Sequence, residues 1–103
     1  MILVKSKNGV PIRLTQERWG HIARRHPEME NQREKVLETL SAPDMVQQGD
    51  LDTLIAVKLY TETPLSEKYL IAVYRETSEA DGFVLTAYFT NTPSERRKVL
   101  WKR

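Results

Sequence analysis

The sequence predicts an α+β fold in which an N-terminal hairpin and two helices pack on a four- to five-stranded antiparallel meander sheet. The chain has 103 residues, the usual size of one domain, so residues 1–103 are taken as a single domain. Hydrophobic residues make up 40% of the chain, which is enough for one core. Strand-like runs fill its second half, and the loops between them are too short for crossover helices. This spacing favours antiparallel pairing.

The first predicted element is a β-hairpin formed by residues 1–5 and 10–14. Asn8 and Gly9 lie between the two runs, and this dipeptide indicates a type I′ turn because both residues tolerate positive φ. Pro11 cannot donate a hydrogen bond to a neighbouring strand. The second strand of the hairpin is therefore expected to be short and to lie at an edge.

Two helices are predicted next. Thr15 is placed as the N-cap of the first helix, Gln16–His26, and Pro27 ends this helix because proline disfavours α geometry in the residue before it. The second helix is predicted over Asn31–Leu40, and Pro43 closes it.

The remaining strands follow in order along the chain. They are predicted at Met45–Gln48, Thr53–Tyr60, Tyr69–Arg75, Gly82–Thr90 and Lys98–Lys102, the last as an added edge strand. The two-residue period of the clearest strand turns four side chains toward the helices: Phe83, Leu85, Ala87 and Phe89. The outer face is then expected to present Lys58, Thr86, Tyr88 and Thr90, with Tyr74 or Arg75. Hydroxyls and cations among tyrosines suit phosphate contact and base stacking, although threonine and tyrosine are also common strand formers.

The composition argues against several classes of function. The chain contains no cysteine, which removes disulfides, thiolate ligands and a cysteine nucleophile, and favours a reducing, cytoplasmic location. No run approaches the roughly 20 apolar residues of a membrane span, so no membrane partner is expected. The sequence has no glycine-rich phosphate-binding motif and no serine in a nucleophile elbow.

No metal or other cofactor is expected either. His21 and His26 are five residues apart, which separates them by about 140° on a helix, so they cannot share one ion as an i, i+4 pair can. Four acidic residues have the spacing of a solvated helix edge rather than of an oxygen cage: Glu28, Glu30, Glu34 and Glu38.

Charge is distributed unevenly along the chain. Residues 1–27 carry six Lys/Arg and one acid, whereas residues 28–52 carry two Lys/Arg and seven acids. Residues 53–82 carry three against five, and residues 83–103 carry five against one. If the fold brings the two basic ends together, they form a positive face for a phosphate-bearing partner. The net charge is only +2, however, so the segregation can also be accidental.

The first helix carries a basic face. Arg18, His21 and Arg25 fall together on a helical wheel. The apolar stripe holds Trp19, Ile22, Ala23 and His26, and Arg24 lies between the two groups on the far side. Basic residues near a helix C-terminus also offset the macrodipole, and a histidine on an apolar stripe is typical of a packed side chain. Both interpretations stay open at this point.

Three runs of the sequence resemble a known group of proteins: LTQERWGHI at 14–22, RHPE at 25–28 and DGFVLTAY at 81–88. Together they are similar to the small phage and bacterial proteins of the barnase, colicin D and RelE type ribonuclease superfamily. The resemblance implies N-terminal helices followed by a four-stranded antiparallel sheet. It also implies cleavage of RNA by transesterification without a metal, in which a base takes the proton of a ribose 2′-OH and an acid protonates the leaving 5′-oxygen.

The resemblance also suggests which residues form the site. The catalytic candidates are His21, His26, Arg25, Lys58, Thr86 and Tyr88, and the nucleic-acid-binding candidates are Arg18, Arg24, Arg75, Thr90 and Arg97. The chain departs from several family members in one respect, since their histidine–glutamate pair has no obvious counterpart on this sheet and the nearest acid, Asp81, lies in a turn.

The expected partners are RNA, either tRNA or mRNA, and an antitoxin or immunity protein. The alternatives are a non-catalytic RNA- or protein-binding module of the same fold and an inactive family member.

Overall fold

All of the strands join one mixed sheet in the computed structural model, which describes residues 2–103. The helices are α1 (Gln16–Arg25) and α2 (Arg33–Ser41), separated by a short 3-10 helix at Pro27–Met29. The strands are β1 (Ile2–Lys5), β2 (Pro11–Leu14), β3 (Met45–Gln48), β4 (Leu54–Tyr60), β5 (Lys68–Ser78), β6 (Asp81–Thr90) and β7 (Val99–Lys102). The fold is therefore α+β, as predicted.

The sheet is wider than predicted and is not wholly antiparallel. Its strand order is β1-β2-β6-β5-β4-β3-β7. Strands β3 to β6 form the expected antiparallel meander, and β7 adds an antiparallel edge strand to β3. The N-terminal hairpin joins the same sheet, because β2 pairs with β6 in parallel at Ile12–Gly82 and Arg13–Phe83. The prediction of four to five strands, all antiparallel, is therefore wrong in the number of strands and in the direction of one strand pair.

The hairpin between β1 and β2 differs from the predicted type. Gly9 has φ of +81°, and its N–H donates to the Ser6 carbonyl at 2.9 Å. Asn8 is not among the described residues with positive φ. This is a type I turn followed by a left-handed glycine rather than a type I′ turn. Strand β2 is also not at an edge, since β1 and β6 flank it, and Pro11 is accommodated as its first residue.

The helices end close to their predicted positions. The Thr15 hydroxyl accepts a hydrogen bond from the Arg18 N–H at 3.0 Å, which caps α1 as expected. At the other end α1 stops at Arg25, and His26 has left helical geometry with φ of −130°. Helix α2 begins two residues late because Asn31 has φ of +68°. No helix within residues 2–103 is long and apolar enough to cross a membrane.

The main core lies between the helices and the inner face of the sheet. Its members with at most 2% exposure come from β2, both helices, the 3-10 helix and the central strands: Ile12, Leu14, Ile22, Met29, Val36, Leu40, Ala56, Leu70, Ala72, Tyr74, Val84 and Ala87. Burying these side chains is the main source of the fold's stability. Tyr74 thus packs on the inner face, which leaves Arg75 for the outer one.

A β-bulge in β6 changes which of its side chains reach the core. Val73 pairs with Thr86 and Tyr74 with Val84, so Leu85 is the extra residue between them. Val84 is consequently buried at 1% exposure, whereas strict alternation predicts it on the outer face. The expected burial of Phe83 and Leu85 is wrong for the same reason, while Thr86, Tyr88 and Thr90 keep their outer positions.

A second, smaller apolar cluster lies on the outer face of the sheet. Its buried members are Ile55, Val57 and Ile71. Residues 91–98, which connect β6 to β7, are held to this side of the sheet by a 2.7 Å hydrogen bond from Gln47 Nε2 to the Ser94 carbonyl. We call residues 91–97 the strap.

Candidate functional site

The edge of β6 beyond Phe83 is lined by a helix instead of a strand. Strand β2 pairs with β6 only as far as Phe83, and the chain then turns at Thr15 into α1. Helix α1 contacts β6, and Arg18 Nη1 donates to the carbonyl of the bulged Leu85 at 3.4 Å. The result is an open groove between a basic helix face and an irregular strand edge.

This α1–β6 groove contains an open cavity of about 250 Å³. The cavity is lined by Arg18, His21, Ile22, Arg25, His26, Leu85 and Thr86. Five of these seven residues are candidates from the sequence. They come from α1 with its C-cap and from β6, which lie some sixty positions apart along the chain. The other two, Ile22 and Leu85, are apolar residues of the lining that sequence reasoning did not assign to a site.

His26 is positioned by the residues that follow α1. Its Nδ1 lies 3.8 Å from Glu28 Oε2, and its side chain is 31% exposed. The imidazole packs on the Tyr88 ring with centroids 5.4 Å apart and planes tilted by 31°. Glu28 reaches His26 because Pro27 starts a 3-10 helix directly after α1. A histidine and a glutamate thus lie side by side at the end of the helix, and the RHPE run was the available signal for this contact.

His21 is held differently. It is exposed on α1, and Arg24 Nη2 lies 3.1 Å from its Nδ1. An arginine can only donate, so Nδ1 is the acceptor of this hydrogen bond when the imidazole is neutral. Arg24 therefore contacts His21 and does not line the cavity itself.

The two arginines of the cavity have no carboxylate partner. Among residues 2–103, no Asp or Glu oxygen lies within 4 Å of the Arg18 or Arg25 guanidinium. Nearby, Arg13 makes a paired contact with Asp81 at 2.8 and 3.0 Å, which lowers the pKa of that carboxyl. The charge of these two guanidiniums is therefore not neutralised by an ion pair, and unpaired cations of this kind attract anions.

The basic ends of the chain do not combine to form this positive site. The ends do touch, since Lys7 Nζ lies 4.2 Å from the Trp101 ring centroid. The cations of the groove, however, all belong to α1, and the C-terminal Arg97 and Arg103 pair with Asp50 and Asp44. The groove is therefore not built from both ends of the chain, and the acidic middle of the chain pairs with two of the five Lys/Arg of residues 83–103.

Lys58 lies on the opposite face from the groove, which corrects its assignment as a catalytic candidate. Ile55 and Val57 take the outer face of β4, so Ala56 and Lys58 point inward. The Lys58 ammonium donates to the Ala42 carbonyl at the end of α2 at 2.9 Å and lies 3.8 Å from Asp44. Its role is structural.

Arg75 lies on the outer face but does not belong to the α1–β6 groove. Its Nη2 donates to the Leu51 carbonyl at 2.5 Å, next to the turn between β3 and β4. Its Nε is buried without a partner. Arg75 thus holds the tip of the β3–β4 hairpin.

Thr90 and Arg97 line a second cavity beneath the strap, together with Tyr88. Arg97 binds the Asp50 carboxylate through both terminal nitrogens, at 3.1 and 3.3 Å. This contact raises the pKa of Arg97 and lowers that of Asp50. Tyr88 is therefore shared, since its ring packs on His26 of the groove and also lines the strap cavity.

Comparison of the chain with models of protein families, with curated proteins and with solved structures found no match in any of the three.

Proposed function

We propose that the protein is a metal-independent ribonuclease that cleaves RNA by transesterification in the α1–β6 groove. The observation that supports this is one open cavity lined by two imidazoles and two unpaired guanidiniums. Imidazoles transfer protons near neutral pH, and guanidiniums bind phosphate in a planar, bidentate manner. The resemblance to the barnase, colicin D and RelE type superfamily supports the same chemistry.

His26 is the general base. It takes the proton of a ribose 2′-OH, and the oxygen then attacks the adjacent phosphorus. Glu28, 3.8 Å from Nδ1, stabilises the imidazolium that forms and leaves Nε2 for the substrate. Packing against Tyr88 restrains the orientation of the His26 ring, and a fixed orientation favours efficient proton transfer.

The other residues of the cavity complete the reaction. The imidazolium form of His21 gives its Nε2 proton to the leaving 5′-oxygen as the phosphorus–oxygen bond breaks, and it becomes the neutral imidazole whose Nδ1 accepts from Arg24. Arg18 and Arg25 stabilise the extra negative charge of the pentacovalent phosphate, and the Thr86 hydroxyl donates to a phosphate oxygen. The products are a 2′,3′-cyclic phosphate and a 5′-hydroxyl, so every atom and proton is accounted for without a metal.

The same groove also supports a second function, RNA binding without cleavage. The observation in favour is the contact between Arg24 and His21, which occupies Nδ1 of His21. His26, beside Glu28, is then the one histidine of the groove with a carboxylate partner. In this case the groove holds phosphates through arginine, and binding weakens steeply with salt while the RNA stays intact.

Incubation of purified protein with total RNA in excess EDTA separates the two functions. A ribonuclease of the proposed type produces discrete fragments in EDTA. The double variant His21→Ala/His26→Ala should abolish them, because general acid–base catalysis contributes about 10²–10⁴-fold to the rate. Lys102→Gln, which removes an exposed cation from the far edge strand β7, is the matched control and should cleave like wild type.

Fragments that persist unchanged in the double variant would rule out the groove as the source of cleavage. Intact RNA together with salt-dependent binding would replace the ribonuclease proposal with the RNA-binding one.

A further inference from the structure

The cavity beneath the strap has the features of a binding site for a flat ring. Its volume is about 70 Å³, and it lies between the outer face of the sheet and residues 92–97. Ile55 and Ile71 contribute its apolar surface, and Tyr88 adds an aromatic ring. Apolar and aromatic surfaces of this kind bind nucleobases by stacking, which tolerates any base.

Gln47 adds a polar group that can select among rings. It is 2% exposed and lines the cavity, where its Nε2 donates to the Ser94 carbonyl at 2.7 Å. Its Oε1 is buried and has no hydrogen-bond partner. A buried acceptor without a donor destabilises the fold. A ligand that supplies an N–H to this oxygen removes that cost, which makes its binding free energy more favourable.

The strap cavity adjoins the α1–β6 groove. Thr86, Tyr88 and Thr90 alternate along the outer face of β6, and successive members are about 6.6 Å apart. Thr86 lines the groove, Thr90 lines the strap cavity, and Tyr88 lies between them with its ring against His26. A nucleotide whose phosphate lies in the groove can therefore direct its base toward Gln47.

We propose that the strap cavity is a base-binding subsite for a pyrimidine nucleotide of the RNA substrate. This inference rests on the proposed function. The small volume admits one six-membered ring more readily than the two fused rings of a purine. An amino or ring N–H group on the edge of the base donates to Gln47 Oε1, and the ring stacks against the surface formed by Tyr88 and the two isoleucines.

The subsite can be tested by NMR titration of ¹⁵N-labelled protein with CMP, UMP and AMP. The side-chain amide of Gln47 is the reporter. We expect pyrimidine nucleotides to shift this amide and the Thr90 backbone amide at lower concentration than AMP does. Gln47→Leu should weaken pyrimidine binding about tenfold, which corresponds to loss of one hydrogen bond to a buried group. Gln48→Leu is the matched control, because Gln48 is exposed and adjacent.

A second variant protects the test against loss of folding in Gln47→Leu. Thr90→Val keeps the shape of an outer-facing residue of the strap cavity and removes the hydroxyl that donates to the Thr92 carbonyl of the strap at 3.1 Å, so it should loosen the strap and reduce affinity without unfolding the chain. Equal shifts for purine and pyrimidine nucleotides, shifts confined to α1, or no response of the Gln47 amide would each overturn the subsite, with the last indicating a cavity that holds water only.

The subsite and the proposed function fail separately. Pyrimidine binding at Gln47 in a protein that leaves RNA intact would keep the subsite and remove the cleavage. Cleavage in EDTA that shows no base preference and is unaffected by Gln47→Leu would keep the ribonuclease and remove the subsite.

Discussion

The fold pairs the cations near β3 with carboxylates and leaves the two arginines of the α1–β6 groove without such partners among residues 2–103. At the β6 edge, Arg18 and Arg25 line an open cavity and have no carboxylate within 4 Å among residues 2–103. At the β3 end, Lys58 and Arg103 share Asp44, and Arg97 binds Asp50.

This difference shows that charge counts along the sequence do not locate a binding surface. Both ends of the chain are basic, yet the acidic middle segment supplies the carboxylates that pair with Arg97 and Arg103 of the C-terminal one. In the α1–β6 groove, two arginines without a carboxylate partner among residues 2–103 lie beside both histidines. The contrast between the paired cations near β3 and the unpaired arginines of the α1–β6 groove can be tested by variants in each region.

The largest effect is expected from His26→Gln. This change removes the proposed base while keeping a polar side chain of similar reach beside Glu28, so cleavage of RNA in EDTA should fall about 100-fold or more. The initial rate of fragment formation measures it. Arg103→Gln near β3 should cleave at the wild-type rate, and a His26→Gln rate within a factor of two of wild type would contradict the assigned role.

Removal of a groove arginine should weaken RNA binding. We expect Arg25→Gln to reduce affinity for a non-cleavable 2′-O-methyl oligonucleotide about tenfold at low salt, and to reduce the slope of log K against log salt by about 1. Fluorescence anisotropy at several salt concentrations measures both quantities. Arg103→Gln, whose guanidinium already faces Asp44, should keep the wild-type slope; identical slopes for the two variants would mean that RNA does not bind at the groove.

At the β3 end, loss of a cation should affect stability and not activity. Lys58→Met removes the hydrogen bond to the Ala42 carbonyl and the ion pair with Asp44, and should lower the free energy of unfolding by about 1–2 kcal/mol. Urea denaturation measures this change. A variant that keeps full stability but loses cleavage would return Lys58 to the site and contradict its structural role.

The smallest effect is expected at Asp50, and it depends on pH. The Arg97 guanidinium lowers the pKa of Asp50 in the folded state, so the pair stabilises the fold above the ordinary aspartate pKa of about 3.9 and ceases to do so as the pH falls through the lowered value. Asp50→Asn should therefore be less stable than wild type at pH 7, and the two should converge in acid. Urea denaturation at pH 7 and in acid tests this, and an equal difference at both would exclude the ion pair as the cause.

Local signals predicted most of the elements. The N-cap at Thr15, the two prolines that end the helices and the β-rich runs placed both helices and the five later strands within a few residues. These features depend on a few neighbouring residues, so the sequence contains them directly. The parallel contact between β2 and β6 depends instead on residues some seventy positions apart, and no local pattern encodes it.

Side-chain directions were harder to predict than elements. Strand β4 is apolar on both faces, so alternation cannot show whether Lys58 shares a face with the helices. In β6 the bulge at Leu85 shifts the period by one residue, which reversed the assignment of Phe83 and Val84. A single inserted residue reverses the predicted side-chain direction of every strand residue on one side of it. Nothing in the sequence of β6 marks where the inserted residue lies.

The candidate site was predicted in part for a related reason. The wheel that grouped Arg18, His21 and Arg25 is valid within α1, and these residues do line one cavity. It does not apply to His26, which has left the helix and turned toward the same cavity. Glu28 and Gln47 were missed because their importance comes from tertiary contacts with a histidine and with the strap.

The most direct test of the central claim compares two substrates of the same sequence. Wild-type protein in excess EDTA is incubated with an RNA oligonucleotide and with its fully 2′-O-methylated counterpart, and the termini of the products are identified by mass spectrometry. Cleavage through the ribose 2′-OH predicts fragments of the first that end in 2′,3′-cyclic phosphate and no cleavage of the second. Intact RNA, or equal cleavage of both oligonucleotides, would contradict a metal-independent ribonuclease in the α1–β6 groove.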